Sequence, residues 1–466
     1  MSRLIIISNR VQPPNGDGSA AQGGLAVALS AALREYSGLW FGWSGETTEQ
    51  FTGHINFQRK GGVTTATIDL EEQDVDEYYN GYANQTLWPL FHYRIDLAEY
   101  ERQFAGGYER VNARFADTVG PLIEPDDLVW VHDYHLIPLG RELRKRKCRN
   151  RIGFFLHIPW PPMRLLMSLP SHRQLVESLF AYDVIGFQTA DSVESFIDYV
   201  THEMAAEVDE NGWLTIGKRT LRVIACPIGI DADNFAKAVH SDVARGTYER
   251  MGISAVGRAM IVGVDRLDYS KGLQERFVGY ERFLSLHPER AAEVFLLQIA
   301  PPSREQVESY QEIRASLDSL SGRINGAFAD IDWVPLRYVN RGYGRDELAG
   351  IYRAAKVGLV TPLRDGMNLV AKEYVAAQDP EDPGVLILSR FAGAAEQLAE
   401  AVLVNPHSAE ELADVIETAL NMPRDERIRR WKILFDNVTR EDVMWWRKTF
   451  TDALADPQFS PCADAA

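Results

Sequence analysis

The chain has 466 residues, of which 45% are hydrophobic and 25% charged, as is ordinary for a soluble globular enzyme of two or three domains. Its formal net charge of -17 argues against a general nucleic-acid or membrane-surface binder, because both need basic faces, and we see neither a signal peptide nor a membrane span. Cys148, Cys226 and Cys462 lie far apart without CxxC spacing, which favours neither a disulfide framework nor a zinc site. We therefore expect a cytoplasmic protein.

Short apolar runs alternate with helical patterns in the first half of the chain. Runs rich in Val, Ile and Phe, each followed by a helix, indicate parallel strands buried on both faces. A hairpin is expected within residues 201–222, around the sequence ENGW. The predicted strands are 3–8, 127–133, 151–157, 183–189 and 219–225, and the predicted helices are 23–36, 134–146 and 171–182.

The pattern then starts again, which indicates a second domain. The break falls near the Pro/Gly turn at 226–235, so the two series predict two doubly wound parallel sheets of the α/β class, facing a cleft. The predicted strands are 259–266, 294–300, 357–363 and 384–390, with helices at 272–288 and 345–355. The expected domains are 1–235 and 236–440, followed by a helix at 441–456 that packs on the first domain and a disordered tail at 457–466.

Charged residues crowd the turn between the strand 357–363 and the helix after it. The start of a helix offers unpaired N–H groups and a positive dipole end, which suits an anion, and Gly366 permits a close approach. Glu373 can accept hydrogen bonds from sugar hydroxyls. The alternative is an ordinary helix cap, with Asp365 or Asn368 capping and Glu373 in solvent.

Two other turns carry the same signals. Arg10 ends the first strand and precedes a Gly-rich loop with Gly23 and Gly24 at a helix start; the alternative is a flexible loop without a function. The chain has no GxGxxG motif, which counts against a dinucleotide-binding dehydrogenase. Arg266 and Lys271 follow a strand and can neutralise a diphosphate without a metal, unless Asp265 and Asp268 simply pair with them.

Further polar and aromatic residues follow predicted strands. Asp133 and His157 fall at two strand ends in the first series, and Arg304 follows a strand of the second, where it is available for another phosphate. Tyr79 and Trp88 lie in an aromatic, loop-like stretch at 76–93 that can pack on a sugar or simply close a core.

Taken together, these motifs resemble one known family. The segments "SNR" with a following "GGL", "DEYYN…LWP", "HDYHL", "FFLHIP", "RLDYSKG", "INGAF" and "TPLRDGMNLVAKEYVAAQ" are similar to the trehalose-6-phosphate synthases, glycosyltransferase family 20. The resemblance runs in the same order from about residue 2 to residue 450. It implies a GT-B fold with two Rossmann-like domains and a retaining transfer of glucose from UDP-glucose to glucose 6-phosphate.

The resemblance also implies residue roles. The leaving phosphate is expected to help deprotonate the acceptor hydroxyl, with Arg266, Lys271 and the helix start at Asn368–Leu369 stabilising its charge. Asp365, His157, Arg266 and Lys271 are the expected catalytic residues. The implied donor positions are Gly23, Gly24, Arg266, Lys271, Tyr343, Asp365, Leu369, Val370, Ala371, Lys372 and Glu373. The implied acceptor positions are Arg10, Tyr79, Asp133 and Arg304, with Trp88 and Ile158 shaping the acceptor pocket.

Several alternatives stay open at this point. A few positions after the segment HIPWP the family usually has an acidic residue, whereas this chain has Pro162, Met163 and Arg164. This difference affects the local loop. A pseudo-glycosyltransferase, a nucleotide-sugar epimerase and a catalytically silent subunit are the competing hypotheses, and UDP is not distinguished from GDP or ADP. We expect no metal or other cofactor, small-molecule substrates, no nucleic-acid or membrane partner, and a homo-oligomer that is a dimer or tetramer.

Overall fold

The computed structural model describes residues 3–11, 38–60, 63–304 and 307–456. The predicted helix 23–36 and tail 457–466 therefore lie outside the described residues. The chain divides into two compact units. The first unit runs to Ile228 and takes up the chain again at Met444, and the second runs from Gly229 to Val443.

The described part of the first unit is built on one sheet of ten strands in the order β3-β4-β2-β1-β5-β6-β7-β10-β9-β8. The central run from β4 to β10 is parallel, whereas β3, β9 and β8 pair antiparallel at the two edges. The strands are β1 Leu4–Arg10, β2 Leu39–Thr48, β3 Asn56–Lys60, β4 Val63–Glu71, β5 Leu128–His132, β6 Ile152–Phe155, β7 Val184–Phe187, β8 Glu207–Val208, β9 Trp213–Ile216 and β10 Arg219–Ala225.

Helices connect these strands. The longer ones are amphipathic and bury one face, as Arg102–Val119 does with Tyr108, Val111 and Phe115. The helices are Glu72–Asp74, Val75–Leu87, Trp88–Phe91, Arg102–Val119, Leu139–Lys145, Met163–Leu166, His172–Leu179, Ala190–Met204 and Val443–Ala455, with 3₁₀ turns at Ile95–Leu97, Gly120–Leu122 and Tyr134–Leu136.

The described part of the second unit has a six-stranded sheet in the order β13-β12-β11-β14-β15-β16, with all neighbours parallel. Its strands are β11 Ala259–Val264, β12 Val294–Ile299, β13 Leu336–Val339, β14 Val357–Val360, β15 Val385–Ser389 and β16 Val402–Val404. Its helices are Ala232–Ala238, Asp242–Ala255, Leu273–Leu286, Glu308–Phe328, Arg345–Ala354, Leu369–Ala377, Ala409–Leu420 and Arg424–Arg440, with 3₁₀ turns at Tyr269–Lys271, Pro288–Arg290 and Gly393–Glu396.

The prediction for residues 76–93 is wrong, because the segment is helical rather than loop-like. Its turns at Val75–Leu87 are wide, with the Trp88 N–H donating to the Ala83 carbonyl five residues back. The Gly and Asn residues that suggest a loop are accommodated by packing. A Cβ at Gly81 would lie 2.4 Å from the Phe104 ring, so glycine lets this helix approach its neighbour closely. The hairpin expected within 201–222 is present as β8 paired with β9.

The chain passes between the units at Ile228, whereas the sequence-based boundary at 235/236 falls inside the helix Ala232–Ala238. From Met444 onward the helix Val443–Ala455 lies in the first unit, where Phe450 stacks on Trp130 with ring centroids 4.5 Å apart and planes 8° apart. A Cβ at Gly153 of β6 would lie 2.6 Å from the Phe450 ring. This late helix therefore completes the core under the first sheet.

Among the described residues, no helix combines the length and the apolar character that crossing a bilayer requires.

Replacing Phe450 with alanine tests the role of that helix. Phe450 is fully buried, so the substitution leaves a cavity beside Trp130 and is expected to lower the free energy of unfolding of the first unit by about 3–5 kcal/mol. Urea denaturation followed by tryptophan fluorescence measures this change. Met444→Ala, on the same helix at 42% exposure, is the control and is expected to change stability by less than about 0.5 kcal/mol. Equal effects of the two substitutions would contradict the packing described.

Candidate active site

Arg10, the last residue of β1, lies beside a row of aromatic rings. Its guanidinium carbon is 5.6 Å from the centroid of the Trp43 ring, and Trp43 in turn contacts Tyr79 at 5.6 Å between centroids. Tyr79 stacks on His135 with centroids 5.9 Å apart and planes 12° apart. Arg10 is exposed, so this edge of the first sheet offers a fixed positive charge next to ring faces, which suits a phosphorylated sugar.

Asp133 joins the carboxyl ends of β5 and β6. Its backbone has φ +76°, which is rare for a residue with a side chain and marks a constrained position. Its N–H donates to the Phe155 carbonyl at 2.8 Å, and its Oδ1 accepts from the His157 N–H at 3.3 Å. The carboxylate is therefore held at the strand edge rather than turned into bulk solvent.

Trp88 and Ile158 lie close to this edge in the first unit. Trp88 begins the short helix Trp88–Phe91, and its ring centroid is 5.6 Å from that of Tyr134. Ile158 directly follows His157 after β6 and is 7% exposed. Both side chains present apolar surface, so they can restrict the shape of a bound molecule without bonding to it.

His157 is locked in one neutral tautomer. The Ile228 N–H donates to Oε1 of Gln188 at 2.8 Å, which leaves Nε2 of Gln188 to donate to Nδ1 of His157 at 3.3 Å. Nε2 of His157 therefore carries the proton and donates to Nδ1 of His132 at 3.0 Å. Burial lowers the pKa of His157 to about 3, and burial together with His157 lowers the pKa of His132 well below its usual value. With both ring nitrogens engaged, the imidazole is not available as a general base.

In the second unit, Lys271 and Asp365 form an ion pair. Lys271 ends the 3₁₀ turn after β11, and Asp365 lies in the loop after β14. Asn368, at φ +78°, donates from Nδ2 to the Asp365 Oδ2 at 3.1 Å and caps the next helix by accepting from the Ala371 N–H at 3.4 Å. The cap is thus Asn368, while Asp365 is engaged with Lys271.

Lys271, Asp365 and Asn368 form the cluster of the second unit. The helix Leu369–Ala377 begins directly at this cluster. The N–H groups of Leu369 and Val370 have no intrahelical acceptor and are suited to bind an anion. The Lys372 side chain lies inward, fully buried, and donates to the Gln397 Oε1 at 2.7 Å. Burial lowers the pKa of Lys372 to about 7, against the attraction of Glu441. A donor contact at position 372 therefore has to come from its backbone.

Other predicted donor residues lie around the same sheet edge. Arg266 is exposed directly after β11. Tyr343, half-buried, precedes the helix Arg345–Ala354, and Arg341 lies over its ring at 4.6 Å. Glu373 is half-buried and accepts from the Tyr352 hydroxyl at 3.4 Å, and burial raises its pKa to about 7 against the attraction of Arg345. Glu373 is therefore not a freely solvated side chain.

Arg304 lies in the second unit, unlike the other predicted acceptor residues. Its φ is +50°, and its Nη1 is 3.2 Å from the Asp268 Oδ2. The Tyr310 hydroxyl also donates to that carboxylate, at 3.0 Å, and hydrogen bonds to Arg304. The guanidinium is thus held in a buried network at the end of β12.

The predicted residues form one group in each unit, and Gly23 and Gly24 lie outside the described residues. Sequence reasoning missed Trp43, His132 and Gln188. Gln188 directly follows the apolar run of β7. A polar residue at a strand end was the signal that identified Asp133, and the same signal was sufficient to identify Gln188. Trp43 belongs to β2, a strand that was not predicted.

A group of three possible metal ligands lies elsewhere, at His287, Glu289 and Glu417, with ligand atoms within 4.8 Å of one another. Glu417 already accepts from Nη2 of Arg290 at 2.7 Å and from its Nε at 3.0 Å. A guanidinium in that position competes with a metal ion.

Polar groups gather at the carboxyl ends of two doubly wound sheets, with cations beside a capped helix start, which is where α/β folds bind phosphate-bearing ligands. The model of glycosyltransferase family 20 matches residues 5–456, so the chain belongs to that family. The predicted family and fold class are confirmed.

The relatives are similar over almost the whole chain. Trehalose-6-phosphate synthase of Sinorhizobium fredii is 48% identical over 97% of this chain and 98% of that protein. Among solved structures, an alpha,alpha-trehalose-phosphate synthase (UDP-forming) from Burkholderia xenovorans in complex with glucose-6-phosphate has a TM-score of 0.93 and 47% identity, covering 98% of this chain and 100% of that one. The E. coli protein bound with UDP-2-fluoro glucose has a TM-score of 0.94 and 44% identity, covering 99% and 100%.

Because His132 and His157 are held neutral in the folded chain, we expect the stability of the protein to fall in mild acid. The unfolded chain binds protons at His132 and His157 below about pH 6.5. In the folded chain burial lowers the pKa of His157 to about 3 and holds the pKa of His132 well below its usual value, so stability falls as the pH drops below about 6.5. Each histidine contributes up to about 1.4 kcal/mol per pH unit. His132→Asn keeps an acceptor near the position of Nδ1 but cannot titrate, and is expected to flatten the slope of unfolding free energy against pH between about 4.5 and 6.5.

The measurement is urea denaturation of the wild type and of the His132→Asn variant between about pH 4.5 and 6.5. His202→Asn, on an exposed face of the helix Ala190–Met204, is the matched control and is expected to keep the wild-type slope. A His132→Asn slope identical to that of the wild type would show that the pair is not held neutral.

Proposed function

We propose that this chain is a retaining glucosyltransferase that moves glucose from UDP-glucose to glucose 6-phosphate and releases α,α-trehalose 6-phosphate and UDP. One observation carries the proposal. Proteins solved with glucose-6-phosphate and with UDP-2-fluoro glucose are 47% and 44% identical to this chain and are covered completely by it. The chemistry of the two residue groups supports the same assignment.

The donor diphosphate binds at the cluster of the second unit. Arg266, Lys271 and the N–H groups at Leu369 and Val370 supply positive potential without a metal. Lys271 pairs with Asp365 in the structure, so its charge is compensated and its position fixed. An incoming diphosphate takes over part of that pairing, while Asp365 becomes an acceptor for hydroxyls of the transferred sugar.

The remaining donor groups recognise the nucleoside. Glu373, at the end of the first turn of its helix, accepts from the ribose hydroxyls, and Tyr343 lies near the base. A Glu373 whose pKa is raised to about 7 is partly protonated near neutrality, so donor binding favours its ionised form and releases protons. The backbone at Ala371 and Lys372 completes the set.

The acceptor binds at the edge of the first sheet. The Arg10 guanidinium takes the phosphate, Tyr79 packs on the sugar, and the fixed Asp133 carboxylate accepts from a sugar hydroxyl. Trp88 and Ile158 restrict the pocket. Arg304, in the second unit, can bind a phosphate when it is released from Asp268. Exposed Arg164 alters its own loop in the first unit.

The reaction follows from these charges. The C1–O bond of the donor breaks, the acceptor hydroxyl oxygen bonds to C1 on the same face, and its proton passes to the departing phosphate oxygen. Arg266 and Lys271 stabilise the charge that develops on that oxygen. His157 lines the transferred sugar, and its tautomer, fixed by Gln188 and His132, excludes it from proton transfer.

Cellular setting and assembly belong to the same proposal. We infer a cytoplasmic enzyme, supported by the free thiols of Cys148 and Cys226. A dimer or tetramer is supported by large apolar side chains exposed on and just after the helix Asp242–Ala255, where Ile253 is 78% and Val256 71% exposed.

Incubation of the purified chain with UDP-glucose and glucose 6-phosphate is expected to give trehalose 6-phosphate and UDP in equal amounts. The control omits the acceptor, since an epimerase converts the UDP-sugar without it. Repetition with GDP- and ADP-glucose decides the nucleotide preference. Absence of product with all three donors would overturn the proposal, and nucleotide binding without turnover would favour a silent subunit.

Excess chelator is expected to leave this rate unchanged, because fixed cations and helix N–H groups supply the charge that a metal would otherwise provide. Loss of activity that is restored by added Mg²⁺ contradicts this expectation.

Arg266→Ala and Lys271→Ala are each expected to lower kcat at least about ten-fold, because one charge-stabilising contact to the leaving group is worth a few kcal/mol. Steady-state kinetics with both substrates measures the effect. Arg282→Ala is the matched control. Arg282 lies on the surface of the helix Leu273–Leu286 and pairs with Glu410, so its removal is expected to keep the wild-type rate. Unchanged kinetics in both site variants would remove the diphosphate role.

A further inference from the structure

Arg276, in the first turn of the helix Leu273–Leu286, is a fully buried guanidinium beneath the cluster of the second unit. It binds groups from three adjacent strands of the sheet. Nη1 donates to the Asp265 Oδ2 after β11 at 2.7 Å and to the Gln298 Oε1 in β12 at 2.8 Å. Nε donates to the Thr361 Oγ1 after β14 at 2.9 Å. One side chain therefore ties together the carboxyl ends of β12, β11 and β14.

The sheet leaves space for this guanidinium at Gly263 of β11. A Cβ at that position would lie 2.6 Å from Nη1 of Arg276 and 2.4 Å from Oε1 of Gln298. Both contacts are too short for real atoms, so a residue with a side chain at 263 would displace the guanidinium. A lysine at 276 has one nitrogen on a flexible stem and cannot span three strands in this way.

Arg276 also balances a buried negative charge. Burial raises the pKa of Asp265, while Arg276 and Lys271 act in the opposite direction. The Nη2 of Arg276 is buried and has no hydrogen-bond partner among the described residues, which is a cost to the folded state. A buried ion pair with an unsatisfied donor contributes little to stability compared with an apolar pair. The pair of Arg276 and Asp265 is therefore better explained by a role in arranging the donor site than by a role in stability.

The loops that carry the diphosphate cations are fixed to two of these strands, β11 and β14. Asp265 directly precedes Arg266. The Leu363 N–H, two residues after Thr361, donates to the Ser270 carbonyl at 2.8 Å, and Ser270 adjoins Lys271. A shift of β14 against β11 would therefore move the turn that holds Lys271.

We propose that Arg276 is a positioning residue for the donor site: it holds the ends of β11, β12 and β14 together and so fixes Arg266 and Lys271 against the diphosphate. The inference rests on the proposed function. Arg276 is fully buried and touches no substrate itself, so it acts through the residues that it orders.

The test is the Arg276→Lys variant, with UDP binding measured by calorimetry and the KM of each substrate measured separately. We expect UDP to bind at least about ten-fold more weakly, with a raised donor KM, a lowered kcat and an unchanged acceptor KM. Thr361→Val, which removes a single hydrogen bond of the set, is a milder second variant and is expected to change the same quantities in the same direction.

Arg144→Lys is the matched control. Arg144 is a nearly buried guanidinium in the first unit that binds Asp183 at 2.9 Å and the carbonyl groups of Ala181, Cys148 and Asn150. Its replacement is expected to lower Tm but to keep UDP affinity.

Folded Arg276→Lys and Thr361→Val proteins that bind UDP as the wild type does would overturn the positioning role, as would an equal loss of UDP affinity in Arg144→Lys. A wild-type chain that fails to bind UDP would instead overturn the proposed function and, with it, this inference. A wild type that binds UDP without transferring glucose would sink the transferase assignment alone, and the UDP affinities of the variants would still decide the role of Arg276.

Discussion

A parallel sheet that is covered on both faces leaves little room for polar side chains along its strands, and those that occur there, such as Gln298 in β12, are hydrogen-bonded. β6 and β7 are buried at every residue, and so are β12 and β14. Groups that must bind a ligand collect where the strands end, and because parallel strands end at the same edge, residues far apart in the chain become neighbours. Each unit obeys this constraint separately, and each therefore gathers one set of polar groups.

Charge is compensated locally within these sets. Lys271 is held by Asp365, Arg304 by Asp268, and Arg276 by Asp265, so cations suited to phosphate coexist with a net charge of -17. A buried cation without a partner would shift its pKa or open the structure to water. Paired with carboxylates, the same cations stay in place before a ligand arrives, and electrostatic stabilisation then requires little rearrangement.

The sequence predicted most of what depends on local pattern. The apolar runs of β5, β11 and β12 lie within a residue or two of their predicted bounds, and the charged residues that follow them were found from position alone. The segment 76–93 was misread because its Gly and Asn residues are typical of loops, whereas contacts distant in sequence make it helical. The inward turn of Lys372 onto Gln397 was equally invisible, since residue type does not reveal which way a side chain faces.

The helix Val443–Ala455 has a consequence for the order of events during synthesis. Its aromatic side chains lie under the first sheet, yet they leave the ribosome after the whole second unit has emerged. The described residues of the second unit all lie between Gly229 and Val443 and have their own core, so this unit can fold while the first waits with an apolar sheet face uncovered. Nascent chains halted shortly before Trp446 should therefore depend on chaperones, although the whole second unit is already made.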